Sequence, residues 1–387
     1  MKALTALLIS ALVSSLISGC ASAPPMPPSA DLFHDDLFAP ASVAIEPEQA
    51  MALSAPMREY LDKRLRRIPP GADRRRWLIE ALYRRDELWL EYDASVTRTA
   101  AQAFDARSGN CLALVMMTGA FAKALGLSVR YQEVLGEDAF DRAGDFAISI
   151  GHVNLTLDDR MQRVGVVTSE RDPWTIDFMP PHGGRMWRTR AIDEHTLVAM
   201  FLNNRAVESL VRDRADDAYW WVREAIRRDP ELLSAYVTLG VIYRRRQQPA
   251  LAEAALARVN ERAPDNTHAL ANRILALRDL GRQAEAGALQ QRLDRLDPNP
   301  RFADFRLGLA ALRERRFDDA RRLFEREVGR APDYHEFHFW LAVTYAELND
   351  PKRAAEHLAR ARRASTTRRD HDLYAAKLAR LKALRAP

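Results

Sequence analysis

Four prolines, Pro230, Pro264, Pro298 and Pro332, stand 34 residues apart and set the plan of the second half of the chain. Other positions keep the interval. Alanine recurs at Ala218, Ala252, Ala286, Ala320 and Ala354, and a small residue at Ala206, Gly240, Gly308 and Ala342, with Ile274 as the exception. Leu256, Phe324 and Leu358 share a place that falls to Gln290 in the third unit, and Tyr243 and Tyr345 share another. A period of this length is one supersecondary unit that must stack on copies of itself to bury its apolar face. Small residues let two helices approach closely, and proline ends the second helix before the next unit begins. Five units over about 199–366 are expected, with a final helix near 370–384 as a cap.

This pattern resembles the tetratricopeptide repeat, which implies a concave surface that binds a protein or peptide. Residues 199–387 carry 36 basic and 27 acidic groups, a net of +9, whereas residues 1–198 carry 22 and 26, a net of −4. The positive excess points to an acidic partner; arginines that solvate the outer helical faces are the plainer account. His335 and His338 sit three apart, as metal ligands can, but no third ligand accompanies them. No metal, cofactor or nucleic acid is expected.

The N-terminus reads as an address. Met1 and Lys2 precede about 15 apolar residues ending Ile17-Ser18-Gly19-Cys20, short for a spanning helix of roughly 20. Small residues before a cysteine resemble the bacterial lipobox. That resemblance implies a leader at 1–19, lipid on Cys20 and, with Ala21 following, attachment to the outer membrane facing the periplasm. Residues 20–30 are proline-rich and read as a tether. With Cys20 acylated, only Cys111 of the 2 cysteines remains a thiol, without an intramolecular disulfide partner. Apolar content of 47% and 16 glycines argue against disorder and collagen-like repeats.

Between tether and repeats, helical patterns at 55–66, 72–84 and 97–106 lead into Ser108-Gly109-Asn110-Cys111. Gly109 and Asn110 break the preceding helix, and Asn110 is a good N-cap for a helix over 111–125. Cys111 then falls on a first turn, where unpaired N–H groups and the helix dipole favour a thiolate. Past Gly126 the period alternates: 129–134, 147–157, 164–168 and 174–178 read as strands, the second carrying His152 and the fourth Asp177.

A helix bearing Cys, then strands bearing His and Asp, resembles papain-like and, more closely, bacterial transglutaminase-like domains. The likeness covers 97–180 and includes Thr99-Ala100, Gly109-Asn110-Cys111, Gly126-Leu127 and Tyr131-Gln132-Glu133-Val134 in family order. It implies an α+β transglutaminase-like domain over 31–198, followed by the all-α repeats over 199–387. It also implies a Cys111–His152–Asp177 triad that transfers an acyl group from a protein or peptide amide to water or an amine. Asp158, Asp159 and Asp172 are alternatives to Asp177, and His182 is a rival to His152. A second reading is a catalytically silent adaptor that binds partners through the repeats; a third is a basic scaffold in which the first domain is a spacer. An unusually reactive Cys111 separates the first reading from the others.

Overall fold

The computed structural model of the chain describes residues 29–383, apart from 67, 70–71, 136–138, 144–145, 159–173, 179–187 and 301. Cys20, the leader, the strand expected at 164–168, Asp159, Asp172 and His182 lie outside the described residues.

Two helices, α1 (Ala55–Leu65) and α2 (Arg74–Tyr83), precede α3 (Ala100–Ala106) and α4 (Cys111–Ala124). Strands β1 (Glu91–Tyr92) and β2 (Ser108–Gly109) pair in parallel and bracket α3. Thr99 caps α3 in a capping box with Gln102. Arg107, in the left-handed region at φ 51°, ends it, so the break comes two residues before the glycine expected to make it. Helix α4 buries every residue from Cys111 to Ala122, consistent with an unbroken apolar run.

The chain then forms β3 (Ser128–Leu135), β4 (Ala139–Ala143), β5 (Phe146–Ile150), β6 (Val153–Asp158), β7 (Trp174–Ile176) and β8 (Arg188–Ile192). An antiparallel sheet runs β7-β6-β3-β8, and β4-β5 is a separate hairpin. Residues 147–157 are therefore two strands and not the single one expected. The chain changes partners at Gly151-His152, from β4 to β3 and β7, and no one ladder can span that change. Asp177 likewise stands one residue beyond β7.

The repeats form five hairpins: α5 (Glu194–Val211) with α6 (Ala215–Arg228), α7 (Leu233–Arg245) with α8 (Pro249–Arg262), α9 (Thr267–Asp279) with α10 (Gln283–Leu296), α11 (Ala303–Arg313) with α12 (Phe317–Arg330), and α13 (His335–Glu347) with α14 (Pro351–Ala364). Helix α15 (Arg368–Ala383) follows as the cap. Each period-setting proline falls two residues after its helix ends, and the five recurring alanines are all at most 1% exposed. A Cβ on Gly240 would lie 2.6 Å from Leu256, and one on Gly308 would lie 2.7 Å from Phe324, which is why those positions stay small.

A second period of 34 runs through the turns. Asp213, Gln247, Gly281, Arg315 and Asn349 all have positive φ, between 57° and 76°. After each, the next residue's N–H reaches back across the turn, to the carbonyls of Ser209, Tyr243, Leu277, Ala311 and Tyr345 respectively. This is the Schellman closure, which satisfies the carbonyls a helix end leaves open. Only one of the five is glycine, so composition conceals the turn.

Helix α5 begins at Glu194 and runs through residue 198, the boundary expected between domains. The segment before α1 also packs on the repeats. Phe38 stacks on Tyr219 at 3.8 Å, the Tyr219 hydroxyl donates to Asp35 (2.6 Å), the Trp220 indole donates to the Ala39 carbonyl (2.7 Å), and the Tyr243 hydroxyl donates to the Leu32 carbonyl. One cluster of buried residues accordingly runs from Leu32 through Cys111 to Ala276. At the other end of the array, the Ala94 N–H donates to the Thr366 carbonyl (3.0 Å).

Candidate functional site

Cys111 opens α4 and is fully buried. Asn110 holds it there twice over. Its Oδ1 accepts from the Ala113 N–H (2.9 Å), and its Nδ2 donates to Thr97 Oγ1 (2.8 Å). The Thr97 N–H in turn donates to Glu208 Oε1 of α5 (2.6 Å), so the first repeat fixes the loop that carries the cysteine. Burial pushes the Glu208 carboxyl up, against the pull of that N–H and of Arg205.

Antiparallel pairing brings the other two residues together. Leu155 pairs with Ile176, so the next position outward sets Asn154 beside Asp177, and His152 lies two residues further along the same face. His152 Nε2 is 2.9 Å from Asp177 Oδ2, and Asn154 Nδ2 donates to the same oxygen at 3.2 Å. The His152 carbonyl accepts from the Val134 N–H (2.8 Å), which fixes the backbone as well. His152 Nδ1 is buried and has no hydrogen-bond partner within the described residues. Burial resists charging the ring, but the hydrogen bond to Asp177 and the closeness of Cys111 outweigh it and push the His152 pKa up to about 9. His152 and Asp177 are thus joined by a hydrogen bond, with Cys111 near enough to His152 to act on its charge.

Asn154 carried no role in the sequence; the signal for it is the two-residue step from His152 on one strand face. Asp158 does not join this group: it closes β6 and pairs with Arg130 at 3.1 Å. His335 and His338 point to separate partners. His335 Nδ1 is 2.8 Å from the Tyr374 hydroxyl; His338 contacts the Pro332 carbonyl (2.7 Å) and His357 Nδ1 (3.0 Å).

A cleft of about 740 Å³ lies where the first helices of units one to three, α5, α7 and α9, face the sheet. Its walls include Val207, Val237 and Val241, and its polar lining includes Asn203, Thr238 and Asn272. Glu133, Arg190 and Gly151 close it on the sheet side, so it ends one residue short of His152.

Residues 237–299 and 305–368 match a tetratricopeptide repeat model. The C-terminal part is a tetratricopeptide-repeat solenoid. Repeats of this kind commonly bind proteins or peptides. Solved structures similar to the chain include the tetratricopeptide-repeat protein YrrB, described as having an unusual peptide-binding site, at 21% identity over 46% of this chain and 92% of that one, with a TM-score of 0.25. A thermophilic tetratricopeptide-repeat protein of Thermus thermophilus is 16% identical over 48% of this chain and 99% of that one, with a TM-score of 0.31. MamA AMB-1 is 21% identical over 42% of this chain and 89% of that one, with a TM-score of 0.24. No curated protein matches the chain.

Proposed function

We propose that the chain is an envelope lipoprotein, anchored through lipid on Cys20 to the outer membrane and facing the periplasm. In this reading its transglutaminase-like domain uses Cys111, His152 and Asp177 for acyl transfer, and its repeats recruit the protein substrate. The carrying observation is the bond between His152 Nε2 and Asp177, which leaves the buried Nδ1 for the thiol. In the reaction, the Cys111 proton first passes to His152 Nδ1, giving a thiolate–imidazolium pair, and the thiolate sulfur then attacks the carbonyl carbon of an amide. The tetrahedral intermediate collapses as the imidazolium gives that proton to the departing amine, leaving a thioester. Water, deprotonated by His152, then cleaves the thioester to a carboxylic acid and restores the thiol. Asp177 holds the ring throughout, and Asn154 holds Asp177. The N–H of Cys111 serves as one oxyanion donor.

Because Cys111 is fully buried, a substrate carbonyl reaches it only when the site opens. Iodoacetamide labelling of Cys111 tests the chemistry. Wild type should label at pH 7 well ahead of His152→Ala, with Asp177→Asn between them; equal rates in all three would remove the enzyme reading. The same burial favours a second reading, a silent adaptor, which requires Cys111 to stay inert in every variant. The anchor has its own test. Cys20→Ser should abolish acyl labelling and release the chain from membranes, and continued attachment would exclude the lipid.

A further inference from the structure

The cleft between the sheet and the solenoid has a chemistry that the overall charge of the repeats conceals. The solenoid half is strongly basic, yet the cleft gathers the carboxylates of Glu133, Asp193, Asp229 and Glu231, the last 3.9 Å from Arg262 beyond the lining, against one lining guanidinium, Arg190. That guanidinium is already committed to Glu133, with contacts of 3.1 and 2.5 Å. Local fields select partners over short distances, where the net charge of a domain counts for little. A cation is favoured here and an anion is opposed.

The second observation is Asn203 on α5. It is 7% exposed, lines the cleft, and its Oδ1 has no hydrogen-bond partner. A buried acceptor without a donor is costly, and a backbone N–H is the donor an extended chain supplies at every residue. Asn266 is otherwise engaged, since its Oδ1 caps α9 through the Ala269 N–H at 2.9 Å. The volume, about 740 Å³, sits within the roughly 300–1,000 Å³ usual for ligand clefts, and the valines of α5 and α7 supply an apolar wall.

We propose that this cleft holds an extended polypeptide segment bearing a lysine or arginine, with Asn203 accepting from its backbone and the surrounding carboxylates taking its cation. The proposal rests on the protein-binding reading of the repeats and is independent of the acyl-transfer reading.

The test is fluorescence anisotropy of the full chain with labelled decapeptides of alternating Ala-Lys and alternating Ala-Glu. Ala-Lys should bind at least about tenfold more tightly, with affinity falling as salt rises. Asn203→Leu should weaken Ala-Lys by about tenfold. Glu231→Gln, at an exposed position that disturbs no core, should weaken it by about threefold or more. Ala-Glu binding equally or better would overturn the proposal, as would wild-type affinity in both variants. Spermine competing as effectively as Ala-Lys would also overturn it, because charge alone would then suffice. Binding is read without turnover, and Cys111 labelling is read without peptide, so either result can fail alone.

Discussion

The repeat array and the Cys111 region solve different problems with the same kind of core. In the array every structural contact is made several times: small residue against large, alanine at the hairpin crossing, left-handed turn, proline stop. In the Cys111 region each contact is made once, by side chains at the start of α4, just before β6 and just after β7. The cores do not divide the same way. One buried cluster joins the Cys111 region to the first repeats, whereas Phe302, Phe305, Phe324, Phe337 and their neighbours form their own. Between them lies α10, on which only Ala286 is buried. Repetition in sequence therefore does not mean equal partnership in stability. The near repeats share a buried core with the Cys111 region, and the far ones form a core of their own.

The largest effect should test that separation. Phe305 is fully buried against Phe324 and Phe337, and Phe305→Ala should cost about 3–5 kcal/mol. Hydrogen exchange should quicken in α11–α14 and stay slow in α4. Equal loss of protection in α4 would mean that the two clusters unfold as one.

The next concerns the site alone. The His152 pKa is raised to about 9 from an ordinary 6.5, so the stability it contributes is fully present below about pH 6.5 and is lost as pH rises to about 9. The amount is on the order of 3 kcal/mol. Urea midpoints should fall across that window in wild type and much less in His152→Ala, while the ring resonances of His152 should titrate near the upper end. A flat wild-type profile would show that His152 is not held by Asp177 and Cys111.

Gly240→Val probes the shared core. Its new side chain meets Leu256, and overpacking should cost about 1–3 kcal/mol. Because Leu256 and Cys111 belong to one cluster, exchange should quicken in α7, α8 and α4 together. If α4 were unaffected, the cores would be divided near residue 198 after all.

What could be read in advance follows the same contrast. The five hairpins were legible because a period repeated five times outweighs any single exception. The candidate site residues could be picked out as residue types in order, but not as geometry. His152 was expected within a strand and instead marks the switch between two sheets, a fact set by partners distant in sequence. The packing of Leu32 and Phe38 on Tyr219 and Tyr243 was not legible at all, since Asp31-Leu32-Phe33-His34-Asp35-Asp36-Leu37-Phe38 has neither helical nor strand period. The left-handed turns escaped because four of the five are not glycine.

The smallest effect sharpens the comparison inside the array. At the helix crossing, units two and four pair a glycine on the first helix with a large residue on the second, Gly240 with Leu256 and Gly308 with Phe324. In the third unit both members change: Ile274 replaces the glycine, and Gln290 replaces the large apolar residue. Ile274 is 2% exposed and packs with Leu277 and Ala286, so it fills from one side the space that leucine or phenylalanine fills from the other. Gln290, freed from the core, accepts from Arg278 (3.2 Å) and donates to Asp294 (2.9 Å). Gln290→Leu alone should therefore change stability by no more than about 0.5 kcal/mol, because the space is taken. Ile274→Gly alone should open a cavity and cost several times that. Combined, the two should recover part of the loss, with a coupling energy of about 0.5–3 kcal/mol in a double-mutant cycle. Simple additivity would mean that the third unit departs from the pattern by drift, without compensation between the two positions.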